Sequence, residues 1–191
     1  MQELVKAIQN QGIGIGTDIV KVDMLINHRI DTELMMHMGQ AFANAFADEK
    51  PEVVLTVEAS GIAIALATAV ALGSIPVVFA KKSQSRNTGN DVYEAPVFSY
   101  THGVMNHVRI DRKYLSKGTR ALIIDDFLAT GAAAMGLIDI CHQAGAVPVG
   151  IGMCVEKSFQ SGRKAMEDMG IKVVTLARVT AIEDGKLTVT D

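Results

Sequence analysis

The sequence predicts an α/β fold in which helices flank a mostly parallel, twisted sheet. Short apolar segments of strand length alternate with segments of helical spacing, and this alternation is typical of βαβ units. The apolar segments hold almost no charged residues, as expected for strands that are buried on both faces. The 191 residues fit one domain, so we expect a single domain over residues 1–191.

The elements before the first buried strand are predicted from helical spacing and glycine positions. Residues 1–12 predict a short amphipathic helix, and the sequence GIGIGTD at residues 12–18 predicts a loop. After a short strand and a turn, Asp31 or Thr32 caps a helix that extends to about Ala47, because apolar side chains recur there at helical spacing.

Residues 53–80 form the most apolar part of the chain and contain a single charged residue, Glu58. A hydropathy scan alone would predict a membrane helix here. However, Gly and Pro divide the segment, and its longest uninterrupted piece holds about a dozen apolar residues, too few to span a bilayer. We therefore expect no membrane-spanning segment, and instead a strand, a helix and a strand at residues 53–57, 61–72 and 76–80.

The second half of the chain continues the alternation after a long polar segment. Residues 81–96 predict a loop, and loops of this length often serve as lids or binding loops. Residues 97–110 predict a hairpin with its turn near His102. The remaining predicted elements are a strand at 120–124, a helix at 132–143, a strand at 148–159, a short helix at 162–170 and terminal strands that turn at Asp184 and Gly185.

Charge and cysteine content exclude some classes of protein. The chain has 18 Lys and Arg against 21 Asp and Glu, a net charge of −3, which argues against a dedicated nucleic-acid-binding protein but allows a local phosphate site. Cys141 and Cys154 lack CxxC spacing, which is typical of a reduced, cytoplasmic protein, and the N-terminus lacks the apolar core of a signal peptide. The five histidines show no metal-binding spacing, so we expect no dedicated metal site.

Two adjacent carboxylates, Asp125 and Asp126, follow the apolar strand within the sequence ALIIDDFLATGAAA. Ligands of such sheets bind beyond the carboxyl ends of the strands, so these acids are expected beside the site. Neighbouring residues of a strand face different directions, so at least one carboxylate should face the ligand. Sugar hydroxyls suit these acids better than a phosphate, which they would repel.

The residues after the two acids suit a phosphate. The start of a helix presents free backbone N–H groups and a partial positive charge, and small side chains let an anion approach the backbone. Thr130 adds a hydroxyl, and Gly131 permits a tight turn. A ribose 5-phosphate would satisfy both the acids and the loop. The alternative is an ordinary strand-to-helix turn in which one Asp caps the helix.

The segment LIIDDFLATGAAA resembles the phosphoribosyl pyrophosphate signature of the type I phosphoribosyltransferase family. Together with KVDMLINHRID, VVLTVEASGIA, PVVFAKKS and GMCVEKSFQSGR, it is similar to the bacterial xanthine phosphoribosyltransferases over nearly the full chain. The resemblance implies the type I fold, with a small hood formed by residues of about 1–35 and 157–191.

The resemblance also implies a reaction and its partners. A cytoplasmic homodimer would act in purine salvage and convert xanthine and 5-phospho-α-D-ribose 1-diphosphate (PRPP) into xanthosine 5′-monophosphate and diphosphate. Mg²⁺ would arrive with PRPP rather than at a dedicated protein site, and neither nucleic acid nor membrane would be a partner.

The resemblance assigns the PRPP side of the site to three groups of residues. The acids near the ribose hydroxyls are Asp125 and Asp126. The loop around the 5-phosphate consists of Ala129, Thr130, Gly131, Ala132 and Ala133. The pyrophosphate side consists of Ala59, Ser60 and Gly61, together with the basic residue Lys81.

The resemblance places Val20, Asn27 and Lys157 at the purine. The ammonium of Lys157 suits the carbonyl oxygens of an oxopurine and would repel the exocyclic amine of adenine. The Asn27 amide can donate to a second carbonyl, and xanthine has two carbonyls. The alternatives are a surface lysine that extends into water and an asparagine that serves only a turn.

Two positions depart from the pattern of many relatives. Ala129 stands where many hypoxanthine–guanine enzymes have an Asp, a candidate base, whereas adenine- and xanthine-specific members share the ATG form. Ala133 stands where many members have a Thr, so one hydroxyl contact to the phosphate is missing.

Two other functions stay open. One is a transferase that prefers guanine or hypoxanthine. The other is a PRPP-sensing regulator without catalysis, which would need a nucleic-acid-binding element.

Overall fold

The computed structural model describes residues 1–82, 91–99 and 104–191. The described residues form five α-helices, α1 to α5: Gln2–Gln11, Thr32–Phe46, Gly61–Ala71, Ala132–Ala144 and Gly162–Glu167. They also form ten strands, β1 to β10: Ile13–Ile15, Ile19–Lys21, Val53–Val57, Val77–Ala80, Val92–Ser99, Val104–Asp111, Arg120–Leu128, Val147–Lys157, Val173–Glu183 and Lys186–Thr190. A π-helical turn spans Asp23–Asn27.

Six strands form the central sheet, in the order β10-β9-β8-β7-β3-β4. Strands β4, β3, β7, β8 and β9 are parallel to their neighbours, and β10 pairs with β9 in antiparallel orientation. The predicted α/β fold with a mostly parallel sheet is therefore confirmed. The carboxyl ends of β3 and β7 lie side by side, because these strands pair in register from Val53 and Ala121 onward.

Two hydrophobic cores cover the faces of this sheet. Leu122 and Ile124 of β7 belong to the core that contains α1, α2 and α3, whereas Ala121 and Ile123 belong to the core that contains α4 and the β5–β6 hairpin. Alternate residues of a strand point to opposite faces, so a strand covered on both sides must be apolar throughout. This burial explains the lack of charge in the predicted strands.

Strand β7 is longer than the sequence predicted. The prediction ended it at Ile124, but it continues to Leu128 because β8 is long enough to pair with it throughout. Asp125 pairs with Met153, and Phe127 pairs with Val155. The two acids thus lie within the last part of the strand, and its hydrogen bonds fix their backbone.

Two predicted loops contain strands. The segment GIGIGTD provides β1 and the turn to β2, strands of only three residues each, which are too short for a clear alternation of apolar residues. Strand β5 begins at Val92, within the segment predicted as a loop. Its polar residues made it look like a loop, but Glu94 pairs with Arg109 of β6. Residues 83–90 and the predicted turn near His102 lie outside the described residues.

Two further local predictions, a helix cap and a hairpin turn, agree with the structure. Asp31 rather than Thr32 caps α2, because its side chain accepts a hydrogen bond from the N–H of Leu34 at 3.2 Å. Asp184 and Gly185 both have positive φ, as a tight hairpin turn between β9 and β10 requires. In the part of the chain that the structure describes, no helix combines the length and hydropathy needed to cross a bilayer.

The two ends of the chain pack against each other. The N–H of Gly14 donates to the carbonyl of Gly185 at 2.9 Å, and Gln2 Nε2 donates to Asp191 Oδ2 at 2.7 Å. These contacts join α1 and the β1–β2 hairpin to β9 and β10, as expected for a small hood made of both terminal segments. The π-helical turn Asp23–Asn27 connects this hood to the carboxyl end of β7.

Candidate active site

A cleft of about 480 Å³ opens at the carboxyl ends of β3 and β7. Among its lining residues are Ser60, both predicted acids and the predicted phosphate loop, which we define as residues 129–133. The structure therefore brings together the residues that the sequence assigned to the ribose and to the 5-phosphate, and of the predicted pyrophosphate residues it places Ser60 in this lining. The cleft lies where the rule for parallel sheets places ligands.

The phosphate loop presents backbone rather than side chains. Helix α4 begins at Ala132, so its first N–H groups have no acceptor within the helix and its positive end points at the cleft. Gly131 has a φ of 84°, in the left-handed region that favours glycine. A Cβ at Gly131 would also lie 3.0 Å from Met166 Cε and 3.3 Å from the Cα of Gly162. Backbone conformation and packing together explain the small residues.

The two acids have different environments. Asp125 is 7% exposed, whereas Asp126 is half-buried. The N–H of Asp126 donates to Asp125 Oδ1 at 3.0 Å. Burial raises the pKa of Asp125 well above its usual range, and the nearby charge of Asp126 raises it further. The hydrogen bond from the Asp126 N–H and the charge of Lys82 partly oppose these effects. Asp125 therefore keeps its proton to a higher pH than an ordinary aspartate does.

The turn from β3 to α3 closes the opposite side of the cleft. Ser60 lines the cleft, and Gly61 begins α3 beneath it. A Cβ at Gly61 would collide with Thr56 Oγ1 and with the carboxylate of Asp125, so only glycine fits at this close approach. The peptide bond between Glu58 and Ala59 is cis.

Two adjacent lysines follow β4, and the structure separates them. The backbone of Lys81 pairs with that of Arg109, and Lys81 lines a second cleft of about 300 Å³. Lys82 lines the cleft of the acids, and its N–H donates to Glu58 Oε1 at 2.7 Å. The sequence predicts Lys81 for the pyrophosphate, whereas Lys82 is the one of the two lysines that lines the cleft of the acids. Strand alternation was the available signal, because neighbouring residues face opposite ways.

The predicted purine residues lie at the edge of the cleft. Asn27 ends the π-helical turn, and its Nδ2 donates to Asp126 Oδ2 at 3.3 Å. Lys157 ends β8, and its Nζ donates to the carbonyl of Asp18 at 2.8 Å. Burial lowers the pKa of Lys157, and the charge of Asp18 partly opposes this shift. Val20 is instead buried in the hydrophobic core, and none of these three residues is among those that line the cleft.

Phe127 lies between Lys157 and the cleft and was not predicted as a site residue. Its side chain lines the cleft, and Lys157 Nζ lies 5.8 Å from the centroid of its ring. Sequence reasoning treated Phe127 as an apolar residue between the acids and the phosphate loop. Its aromatic ring beside two acids was a usable signal, because an aromatic face can pack against a planar base.

Comparisons with known proteins agree with the geometry of the site. Residues 24–183 match the family model for the phosphoribosyl transferase domain. A xanthine phosphoribosyltransferase from Laribacter hongkongensis is 47% identical over 187 residues, which cover 98% of each chain. A xanthine phosphoribosyltransferase from Bacillus licheniformis is 44% identical over 188 residues, which cover 98% of this chain and 96% of the relative.

Solved structures with low sequence identity share the fold. An adenine phosphoribosyltransferase from Trypanosoma brucei superposes with a TM-score of 0.77 at 17% identity and covers 95% of this chain and 81% of its own. An adenine phosphoribosyltransferase from Rhodothermus marinus superposes with a TM-score of 0.74 at 19% identity and covers 94% of this chain and 100% of its own. The chain belongs to the phosphoribosyltransferase family, within the group of the xanthine phosphoribosyltransferases.

Proposed function

We propose that the protein is a purine-salvage transferase that converts xanthine and PRPP into xanthosine 5′-monophosphate and diphosphate. One observation carries this proposal: a single cleft contains a phosphate loop at a helix start and two carboxylates, with Lys157 and Asn27 at its edge. The similarity to relatives named xanthine phosphoribosyltransferases supports the choice of base.

The proposed roles on the PRPP side follow from charge and backbone geometry. The N–H groups at the start of α4 and the hydroxyl of Thr130 bind the 5-phosphate. The residues Ala129, Gly131, Ala132 and Ala133 keep the loop small enough for this approach. Asp125 and Asp126 face the ribose hydroxyls, and Ser60, Gly61 and Lys82 form the pyrophosphate side.

The proposed roles on the base side are those of two hydrogen-bond donors. Lys157 and Asn27 donate to the two carbonyl oxygens of xanthine, and Phe127 offers an aromatic face near Lys157. Asn27 already donates one N–H to Asp126. To bind the base, it must either give up this partner or donate its second N–H to the base. Val20 does not contact the base directly. From its place in the core, it supports the hairpin that carries Asp18.

The reaction is a displacement at C1 of the ribose. A bond forms from a purine nitrogen to C1 as the bond from C1 to the pyrophosphate oxygen breaks. The sugar gains positive charge in a loose transition state, and the fixed carboxylates stabilise that charge. The purine nitrogen loses its proton to solvent water, because the methyl group of Ala129 cannot take that proton up.

Mg²⁺ enters this proposal as part of the substrate. Within residues 1–82, 91–99 and 104–191, no three His, Cys, Asp or Glu side chains cluster to hold a metal ion. The two carboxylates offer the oxygen ligands that Mg²⁺ prefers, and they lie where the ribose of PRPP would bind. When bound, the ion neutralises charge on the leaving pyrophosphate.

We also propose that the protein is a cytoplasmic homodimer.

The test is product formation by the intact protein. Xanthine, PRPP and Mg²⁺ are incubated with the protein, and the ultraviolet spectrum of the base is followed over time. We expect xanthosine 5′-monophosphate by mass spectrometry, with an equal amount of diphosphate, and no product when PRPP is omitted. Tight PRPP binding without product from any purine would instead favour the PRPP-sensing regulator.

A further inference from the structure

Glu156 is a buried carboxylate next to Lys157, and the proposed reaction gives it no role. Its side chain is only 3% exposed. Arg163 Nε donates to both of its oxygens at 3.0 Å, and Arg163 Nη2 donates to Oε2 at 2.6 Å. Thr175 Oγ1 donates to the same Oε2 at 3.0 Å. The carboxylate therefore has the hydrogen bonds that a buried charge requires.

The pair is ionised in the folded protein. Burial by itself raises the pKa of Glu156, but hydrogen bonds from Arg163 and Thr175, with the charges of Arg163 and Arg178, lower it overall. The pKa of Arg163 is raised, mainly by its hydrogen bonds to Glu156. A buried ion pair of this geometry fixes the direction of the guanidinium and thus the position of the helix that carries it.

Arg163 lies in helix α5, which forms the outer wall of the phosphate loop. The N–H of Gly162 donates to the carbonyl of Ala129 at 3.0 Å. A Cβ at Gly162 would collide with that carbonyl, so the two backbones approach as closely as glycine allows. Met166 is fully buried, with its Cε beside Gly131. The helix thus contacts the loop at both its start and its middle.

Helix α5 needs an anchor to perform this role. It has six residues, and helices this short are not stable by themselves. Its neighbour Lys164 forms only an exposed ion pair with Asp168 within the same segment. The bonds from Arg163 to Glu156 of β8 and to Thr175 of β9 instead join the helix to two strands of the central sheet.

We propose that the Glu156–Arg163 ion pair, acting through Gly162, positions the phosphate loop for the 5-phosphate of PRPP. The three are positioning residues: the ion pair holds α5 on the sheet, and Gly162 holds the Ala129 carbonyl away from the ligand. The N–H groups of the loop then point into the cleft. This inference rests on the proposed function, because it takes PRPP as the ligand of the loop.

The test compares Arg163→Met with Lys164→Met, a matched variant of the next residue on the same helix. Steady-state kinetics give the Michaelis constants for PRPP and for xanthine separately. We expect Arg163→Met to raise the constant for PRPP about tenfold or more, because small misplacements of binding groups are costly, and to change that for xanthine much less. Arg163→Lys should recover part of the loss, and Lys164→Met should match the wild type.

A second variant keeps the test valid if Arg163→Met does not fold. Gly162→Ala leaves the ion pair in place and displaces the Ala129 carbonyl directly, so it should show the same selective rise for PRPP. Unchanged constants in both variants, or equal rises for both substrates, overturn the positioning role. If the wild-type protein makes no nucleotide, the proposed function is wrong, and the inference fails with it. If the wild type is active and only the variants behave otherwise than expected, the inference alone fails.

Discussion

The two sides of the cleft are built in different ways. The proposed PRPP side comes mainly from one continuous stretch, in which β7, the phosphate loop and α4 follow each other directly. The proposed base side combines Asn27 from the N-terminal segment with Lys157 from the end of β8. The first side depends on backbone geometry and the second on two side chains. Changes on the first should therefore weaken PRPP binding or turnover whichever base is used, and changes on the second should affect the choice of base.

The two sides meet at Asp126. Its carboxylate belongs to the PRPP side, yet it accepts a hydrogen bond from Asn27 on the base side. Asp125, its neighbour, is instead buried against Gly61. The pair of acids therefore lies where the two sides of the site meet. Substituting each acid separately can show which side it serves.

The largest effect is expected where the backbone itself forms the site. Gly131→Ala should raise the Michaelis constant for PRPP by about 100-fold, because it strains a positive φ and pushes the loop against Met166. Gly170→Ala is the matched control, since Gly170 has a similar φ of 71° but open space around it. Equal kinetics of the two variants would show that the loop tolerates displacement.

An effect of similar size, on turnover rather than on the Michaelis constant for PRPP, is expected at the two acids. Asp126→Asn should lower kcat by about 100-fold, because it removes negative charge beside the developing cation. Asp125→Asn should have its full effect only above the raised pKa of Asp125, where that carboxylate is charged. The Michaelis constants should change less, and the exposed Asp139 of α4 supplies a control in Asp139→Asn. Near-normal turnover in both acid variants would mean that the ribose is bound elsewhere.

A smaller and selective effect is expected on the base side. Lys157→Met should lower kcat/KM for xanthine by about 10- to 100-fold, which is the effect of removing one charged hydrogen bond, and leave the Michaelis constant for PRPP nearly unchanged. Lys172 provides a control, because its Nζ also donates to a backbone carbonyl at 2.8 Å and lies 5.3 Å from the centroid of the Phe46 ring. A loss of PRPP binding in Lys157→Met would remove the distinction between the two sides.

The two lysines after β4 give a finer test of the PRPP side. Lys82→Met should raise the Michaelis constant for PRPP by a few fold, whereas Lys81→Met should change it little, because only Lys82 lines the cleft. Both variants lose one positive charge, so each serves as the control for the other. The reverse result would return the pyrophosphate role to Lys81.

The smallest effect is expected on stability. Because burial raises the pKa of Asp125, the folded protein binds more protons than the unfolded chain above the ordinary value of 3.8. Stability is therefore lost as the pH rises through the raised pKa. Asp125→Asn avoids this loss, so it should melt a few degrees above the wild type at neutral pH, with a smaller difference in acid. Thermal melts across pH would contradict the account if the variant melted lower at every pH.

The parts that sequence could predict are those formed by neighbouring residues. The phosphate loop follows from a strand end, a Gly and a helix start, which are local features. Local patterns do not show how far β7 continues, because β8 decides it through pairing, nor which of Lys81 and Lys82 faces the cleft. The link from Arg163 to the loop could not be predicted from the sequence either, because it depends on how two strands and a helix lie relative to one another.

The most direct test of the account is the choice of base by the wild-type protein. The measurement is kcat/KM for xanthine, guanine, hypoxanthine and adenine at a fixed, saturating concentration of PRPP with Mg²⁺. Two donors that face two carbonyls predict the highest value for xanthine, intermediate values for guanine and hypoxanthine, and the lowest for adenine. A preference for adenine, or equal values for all four bases, would contradict the roles given to Asn27 and Lys157.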